Sequence, residues 1–250
     1  MEEPLKPEVN IFPNLEKASR SLAEKISGEA KEALEKQVRF AWALSGGSTP
    51  RQLYTHIANE YKNKIEWSAV HLFWGDERWV PENHPDSNFA MAYETMISKV
   101  PLPPPNINRV ISEIQTPERA AESYEKVLRE FFNDSDEETF PTFDVMLLGV
   151  GEDGHTASLF SGSSALEEKR HWVVAVDAPP SCSPKKRITL TLPLINRSRA
   201  VFFLVSGSEK SRVLRSILEE PYKARRNYPA AMVKARKKLA WYVDEDAYHG

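Results

Sequence analysis

Residues 38–54 read VRFAWALSGGSTPRQLY, and this stretch sets the fold class. Val38–Leu44 is an almost continuous apolar run, the pattern of a strand buried on both faces. Two glycines follow, then Thr49 and Pro50, which predict an N-cap and first helical residue for a helix carrying Leu53, Ile57 and Tyr61. Strand, glycine turn and helix form the unit of a parallel α/β sheet, whose ligands sit beyond the carboxyl ends of the strands. The loop suits an anion. Gly46 and Gly47 let the backbone approach closely, while Ser48 and Thr49 add hydroxyls to the free N–H groups of the helix start. Taken alone, it fits a phosphate monoester or a plain capped turn equally well. It is not a Walker A loop, because G-x-x-x-x-G-K-[ST] is absent.

The same alternation continues on both sides. Helical spacing marks residues 15–36, with Asn14 as N-cap, and also Asn88–Ile97, Pro117–Phe132 and Ser208–Glu219. Apolar strands are predicted near Val9 and at Ala69–Trp74, Phe143–Leu148, Trp172–Val176, Arg187–Leu192, Ala200–Val205 and Leu239–Val243. Pro101–Asn108 and the acidic Asn133–Thr139 read as connectors. The expectation is one α/β domain over residues 1–250: a mainly parallel sheet flanked by helices, with a small antiparallel subdomain near residues 172–200.

Chemistry-bearing residues follow the strands. After Ala69–Trp74 comes Gly75-Asp76-Glu77-Arg78, three charged residues placed to face a cleft, with Arg78 a fork of donors for an anionic or carbonyl oxygen. Phe143–Leu148 runs into GVGEDGHT (149–156). This is a literal G-x-G-x-x-G, but Glu152 and Asp153 put negative charge where a pyrophosphate needs N–H groups, and no long helix is expected next. His155, in a glycine-rich turn, suits general base work near neutrality, and Asp153 is placed to orient its ring. Lys185-Lys186-Arg187 opens another strand. Lys210 falls in the first turn of a helix, where a bound anion would offset an unfavourable dipole. His84 near Asp76, Glu77 and Asp86 matches no ligand spacing, so no metal is expected.

The net charge of −3 conceals a split. Residues 185–238 hold fifteen Lys and Arg against three Glu, which suggests a local anion site rather than a polyanion-binding surface. Nucleic acid is therefore not an expected partner. A single cysteine, Cys182, excludes an intramolecular disulfide. No apolar run is long enough to span a membrane, and the opening MEEPLKPE does not read as a signal peptide, so a cytoplasmic protein is expected.

Five segments together resemble the 6-phosphogluconolactonases: LSGGSTPRQLY (44–54), WGDERWVPENHPDSNF (74–89), DVMLLGVGEDGHTASLF (144–160), RITLTLPLIN (187–196) and SGSEK (206–210). They keep the family's order over almost the whole chain. The resemblance implies a Rossmann-like α/β sandwich shared with glucosamine-6-phosphate deaminases and ribose-5-phosphate isomerases. It also implies hydrolysis of 6-phospho-D-glucono-1,5-lactone without a cofactor and without an obligate protein partner. His155 matches the general base; Gly46, Gly47, Ser48, Thr49, Arg187 and Lys210 match the sugar-phosphate contacts; Asp76 and Arg78 match cleft residues. One departure is visible, Leu159-Phe160-Ser161-Gly162 where relatives commonly read LFPG. The amino-sugar deaminases carry DEY where this chain has Asp76-Glu77-Arg78, and a carboxylate shortly after the histidine where this chain has Thr156-Ala157-Ser158. A nicotinamide dehydrogenase using Gly149–Gly154 and Asp177, and a silent sugar-phosphate sensor, are the readings from other classes.

Overall fold

In the computed structural model, which describes residues 6–133 and 140–250, strands and helices alternate from the first element onward. Strand β1 (Glu8–Phe12) leads to α1 (Leu15–Leu34), β2 (Phe40–Leu44), α2 (Pro50–Glu60) and β3 (Val70–Trp74). Then come β4 (Asp76–Arg78), α3 (Asn88–Thr95), α4 (Pro117–Phe132) and β5 (Val145–Leu148). Strands β6 (Val173–Asp177) and β7 (Lys186–Leu190), the short α5 (Leu192–Ile195), β8 (Ala200–Val205) and α6 (Ser211–Glu219) follow. The order is completed by α7 (Pro221–Ala224), β9 (Lys238–Asp244) and α8 (Glu245–His249).

Six strands make one parallel sheet in the order β1-β9-β8-β5-β2-β3. Every residue of β2, β5 and β8 is buried, as in a sheet covered on both faces. Alternation of side chains divides them between two cores. Ala41, Ala43, Met146, Leu148, Val201 and Phe203 pack under α4, α6 and α8. Trp42, Leu44, Val145, Leu147, Phe202 and Leu204 pack under α1, α2 and α3. Each large side chain among them contributes about 1.5–3 kcal/mol by leaving water.

The small antiparallel sheet has the order β4-β7-β6. It forms where residues 172–200 predict one, but it also recruits β4 from directly behind β3. That pairing is non-local, so no periodicity in a three-residue strand announces it. Other boundaries shift for local reasons. Val38 is 90% exposed and precedes the strand, because Gln37 ties the turn down through bonds to the Arg39 carbonyl and the Asp144 carboxylate. Asn14 does cap α1, accepting from the Lys17 N–H at 3.0 Å. Thr49 does not cap α2: it is already helical, and its side chain accepts no capping bond. Residues 208–210 form a 3-10 turn ahead of α6, and α3 stops at Thr95 because Met96 leaves helical geometry. Asn133 ends α4 in the left-handed region; the rest of the acidic connector, residues 134–139, lies outside the described residues.

The Ser161 departure has a local explanation. Ser163 N–H donates to the Phe160 carbonyl at 3.1 Å, and Gly162 has φ +76°, so residues 160–163 form a type II turn. Ser161 is its second residue, where proline's fixed φ also fits. We expect Ser161→Pro to stabilise the protein by about 0.4–1 kcal/mol through the unfolded chain's lost freedom. Urea unfolding measures this, and a destabilised variant would show that position 161 needs its N–H or another φ.

Candidate functional site

With all six strands parallel, their carboxyl ends share one edge of the sheet. The chain steps outward from β2 to β3, crosses back to β5, and then proceeds through β8 and β9. The reversal lies between β2 and β5, and ligands of such sheets bind in the crevice formed there. The loops after these strands meet: a Cβ placed on Gly149 would stand 3.8 Å from Ser45 Oγ.

The turn after β5 is closed by Gly151 N–H donating to the His155 carbonyl and Gly154 N–H donating to the Gly151 carbonyl, both at 2.9 Å. Within it, Asp153 Oδ1 accepts from the His155 backbone N–H at 3.1 Å and meets His155 Nδ1 at 2.5 Å. Placing the proton on Nδ1 leaves a lone pair on Nε2. The ring leans on Phe160, with centroids 4.7 Å apart, and the side chain keeps 27% exposure, enough for water to reach it. Position 151 must be glycine, because a Cβ would fall 2.2 Å from His155 Nδ1. Burial tends to raise the Asp153 carboxyl, but the hydrogen bond and charge of His155 outweigh it and hold that carboxyl below the usual range. No helix follows this turn; the next helical element is the 3-10 turn Ser164–Leu166, so the dinucleotide pattern lacks its structural context.

On β4, Asp76 and Arg78 point to one side and Glu77 to the other. Glu77 does not face a cleft. It is buried and accepts from the N–H groups of Arg78, Asn88 and Phe89 at 2.7–2.8 Å, anchoring the start of α3. Asp76, also buried, accepts from Ser158 Oγ at 2.7 Å. Arg78 lies opposite Arg187 in the ladder. Arg187 is 6% exposed and donates from Nε to the Pro184 carbonyl at 2.7 Å. Burial and the charge of Arg78 both push its pKa down. Arg78 donates from Nη1 to the Asp86 carbonyl at 3.2 Å, while its buried Nε has no partner. Two neighbouring guanidiniums repel, and an anion between them would relieve that cost.

Gly46, Gly47, Ser48 and Thr49 reach the same sheet edge from β2. Gly47 needs its freedom, with φ +88°. Gly46 passes under the Asn88 amide, where a Cβ would lie 1.8 Å from Oδ1. Lys210, half-buried, ends the 3-10 turn after β8 and makes no ion pair among the described residues. The structure thus joins Asp153 to His155, and Asp76 and Arg78 to the Arg187 strand. The glycine loop and Lys210 share the edge without a hydrogen bond to the histidine. Sequence reading gave no role to Asn88 or Ser158; both stand inside the quoted motifs, but only their burial and partners mark them.

His84 Nδ1 accepts from the Asp86 N–H at 3.1 Å, and no three His, Cys, Asp or Glu among the described residues are grouped to hold a metal. A hollow of about 730 Å³ beside α3 is lined by Arg51, His84, Phe89 and Tyr93, and by none of the expected site residues. No helix among the described residues is long and apolar enough to cross a membrane.

Comparison with known proteins shows the family. The chain is 38% identical over 245 residues to 6-phosphogluconolactonase 3, chloroplastic, of Arabidopsis thaliana, covering 96% of this chain and 72% of that one. It is 36% identical to the 6-phosphogluconolactonase of Synechocystis over 96% of this chain and 97% of that one. The solved 6-phosphogluconolactonase of Thermotoga maritima superposes with a TM-score of 0.82 at 31% identity, covering 96% and 100% of the two chains. A solved monomeric glucosamine-6-phosphate deaminase matches at TM-score 0.80 but 19% identity, which is a likeness of fold alone. Residues 13–241 match the family model described as glucosamine-6-phosphate isomerases/6-phosphogluconolactonase, and the chain belongs to that family.

Proposed function

We propose that this protein hydrolyses 6-phospho-D-glucono-1,5-lactone to 6-phosphogluconate, the second step of the oxidative pentose phosphate pathway. The observation that carries the reading is the Asp153–His155 pair at the switch point of the sheet. The pair follows β5 beside the glycine loop that follows β2, and Arg78 and Arg187 face each other in the small sheet that continues from β3. The single cysteine suits a reducing compartment such as the cytoplasm, while several plant relatives are named chloroplastic.

Opening a δ-lactone requires an activated water, a place for negative charge on the carbonyl oxygen, and a proton for the departing ring oxygen. In this reading His155 Nε2 takes a proton from water as its oxygen attacks the carbonyl carbon. The tetrahedral intermediate then collapses, the C–O bond of the ring breaks, and the imidazolium returns its proton to the ring oxygen. Asp153 steadies the imidazolium between those events. In this reading backbone N–H groups of the glycine-rich turns, or the guanidinium of Arg78, serve the oxyanion. The phosphate falls to the N–H groups and hydroxyls of Gly46–Thr49, with Arg187 and Lys210 supplying charge. Direct attack by water is preferred because no G-x-S-x-G nucleophile elbow is present.

Three outcomes test this reading. His155→Ala should lower kcat by about 10²–10⁴-fold while 6-phosphogluconate binding is kept; acid release during lactone hydrolysis measures the rate, and unchanged turnover would remove His155 from the mechanism. Asp153 accepts at His155 Nδ1 and so fixes the ring's tautomer and orientation. In Asp153→Ala kcat should fall about tenfold or more with KM nearly unchanged, because the ring loses the acceptor that orients it; an unchanged kcat contradicts the pairing. Arg187→Ala and Lys210→Ala should each raise KM about tenfold or more, the loss of a charge-assisted bond. If neither variant weakens binding, the phosphate lies elsewhere.

A further inference from the structure

Asp76 is a carboxylate with 7% exposure, and its two side-chain donors come from different segments, the turn after His155 and the start of α3. Ser158 Oγ donates to Oδ2 at 2.7 Å; Ser158 is fully buried, and its own N–H is held by Thr189 Oγ1 at 3.2 Å. Asn88 Nδ2 donates to the Asp76 carbonyl at 2.9 Å and lies 3.4 Å from Oδ1. Asn88 is 2% exposed and is fixed in turn by its backbone bond to Glu77. Each donor leads to a functional loop. Ser158 is three residues beyond His155, separated from it by Thr156 and by Ala157, which carries φ +48°. A non-glycine residue in that region is strained and persists only where both sides are held. Thr156 Oγ1, bonded to the Gly149 carbonyl at 2.8 Å, holds one side, and Ser158 holds the other. In the opposite direction, the Asn88 amide covers Gly46 so closely that a Cβ there would overlap it.

We infer that Ser158 and Asn88 are positioning residues that work through Asp76, hydrogen-bonding the loop of the proposed base to an amide against which the proposed phosphate loop is packed. This rests on the lactonase reading for what the two loops do, but not for the bridge itself. The carboxylate, removed from water, requires both donors. Withdrawing either frees the loop on its side and leaves Asp76 short of a partner. The two ends should therefore fail differently: the Ser158 end governs the placement of His155, and the Asn88 end governs the phosphate loop.

The test is a double-mutant cycle of Ser158→Ala and Asn88→Ala, read in kcat and KM together with two measurements that need no turnover. Ser158→Ala should lower kcat by about ten- to a hundredfold with KM nearly constant, and should shift the His155 ring resonances in ¹H–¹⁵N spectra. Asn88→Ala should raise KM about tenfold and weaken 6-phosphogluconate binding in calorimetry to match, with a smaller change in kcat. In kcat/KM the double variant should lose less than the product of the single losses, because both act through one carboxylate. Multiplicative losses, or the same kinetic change at both ends, would overturn the bridge. If wild-type protein does not open the lactone, the functional reading fails, and the ring resonances and calorimetry still decide the bridge. If the alanine variants do not fold, Ser158→Cys and Asn88→Ser, which keep a shorter or weaker donor, should show the same split in milder form.

Discussion

Parallel pairing of β2 with both β3 and β5 is the constraint on which the molecule depends. A parallel pair cannot be closed by a hairpin, so the chain returns to the starting edge through a helix or a long crossover each time. Every returning segment leaves the carboxyl end of its strand at one edge of the sheet. The reversal of direction between β2 and β5 then opens a crevice without any special sequence at that point. The glycine loop, the histidine turn and the Ser206–Lys210 segment are placed by this rule before any of their side chains act. The same sheet explains the absence of polar residues within β2, β5 and β8, since each face is covered by its own core.

Electrostatics is arranged by position along the strands. At the amino ends, Arg199 meets Glu29 at 3.1 Å and Asp144 at 3.7 Å, so a basic residue that looked available in the sequence is consumed in structure. Lys186, Lys223 and Lys238 are likewise paired with Asp177, Glu220 and Glu8. Beyond the carboxyl end of β3 the balance is reversed: Arg78 of β4 faces Arg187 of β7, and Lys210, after β8, has no acidic partner among the described residues. Much of the excess of cations in residues 185–238 is thus paired with acidic residues, and in the proposed function its anion-directed part is Arg187 and Lys210. Their companion Arg78 comes from the acidic remainder of the chain.

Buried carboxylates divide the labour around the crevice. Glu77 spends its oxygens on backbone N–H groups and fixes α3. Asp76, its neighbour on the opposite face of β4, is bonded to side chains of two other segments. Asp153 stays at the surface and is committed to His155. Three acidic residues in similar glycine-bounded contexts therefore serve an anchor, a junction and a partner for a base. What separates them is the side of the strand on which each stands and which donors the fold brings there.

The sequence by itself determined the alternation of elements and the mainly parallel sheet, because buried strands and amphipathic helices have different periods. Asn14 was legible as a cap and His155 as a base candidate for the same local reason. Thr49 was not, since whether a hydroxyl caps or stays free depends on the backbone angle of the turn it ends. Recruitment of β4 into the small sheet, the facing of Arg78 and Arg187, and the bonds of Ser158 and Asn88 to Asp76 join residues 12 to 113 positions apart. Such contacts leave no periodic trace along the chain. They exist only once the sheet has brought its carboxyl ends together, and tertiary structure alone decided them.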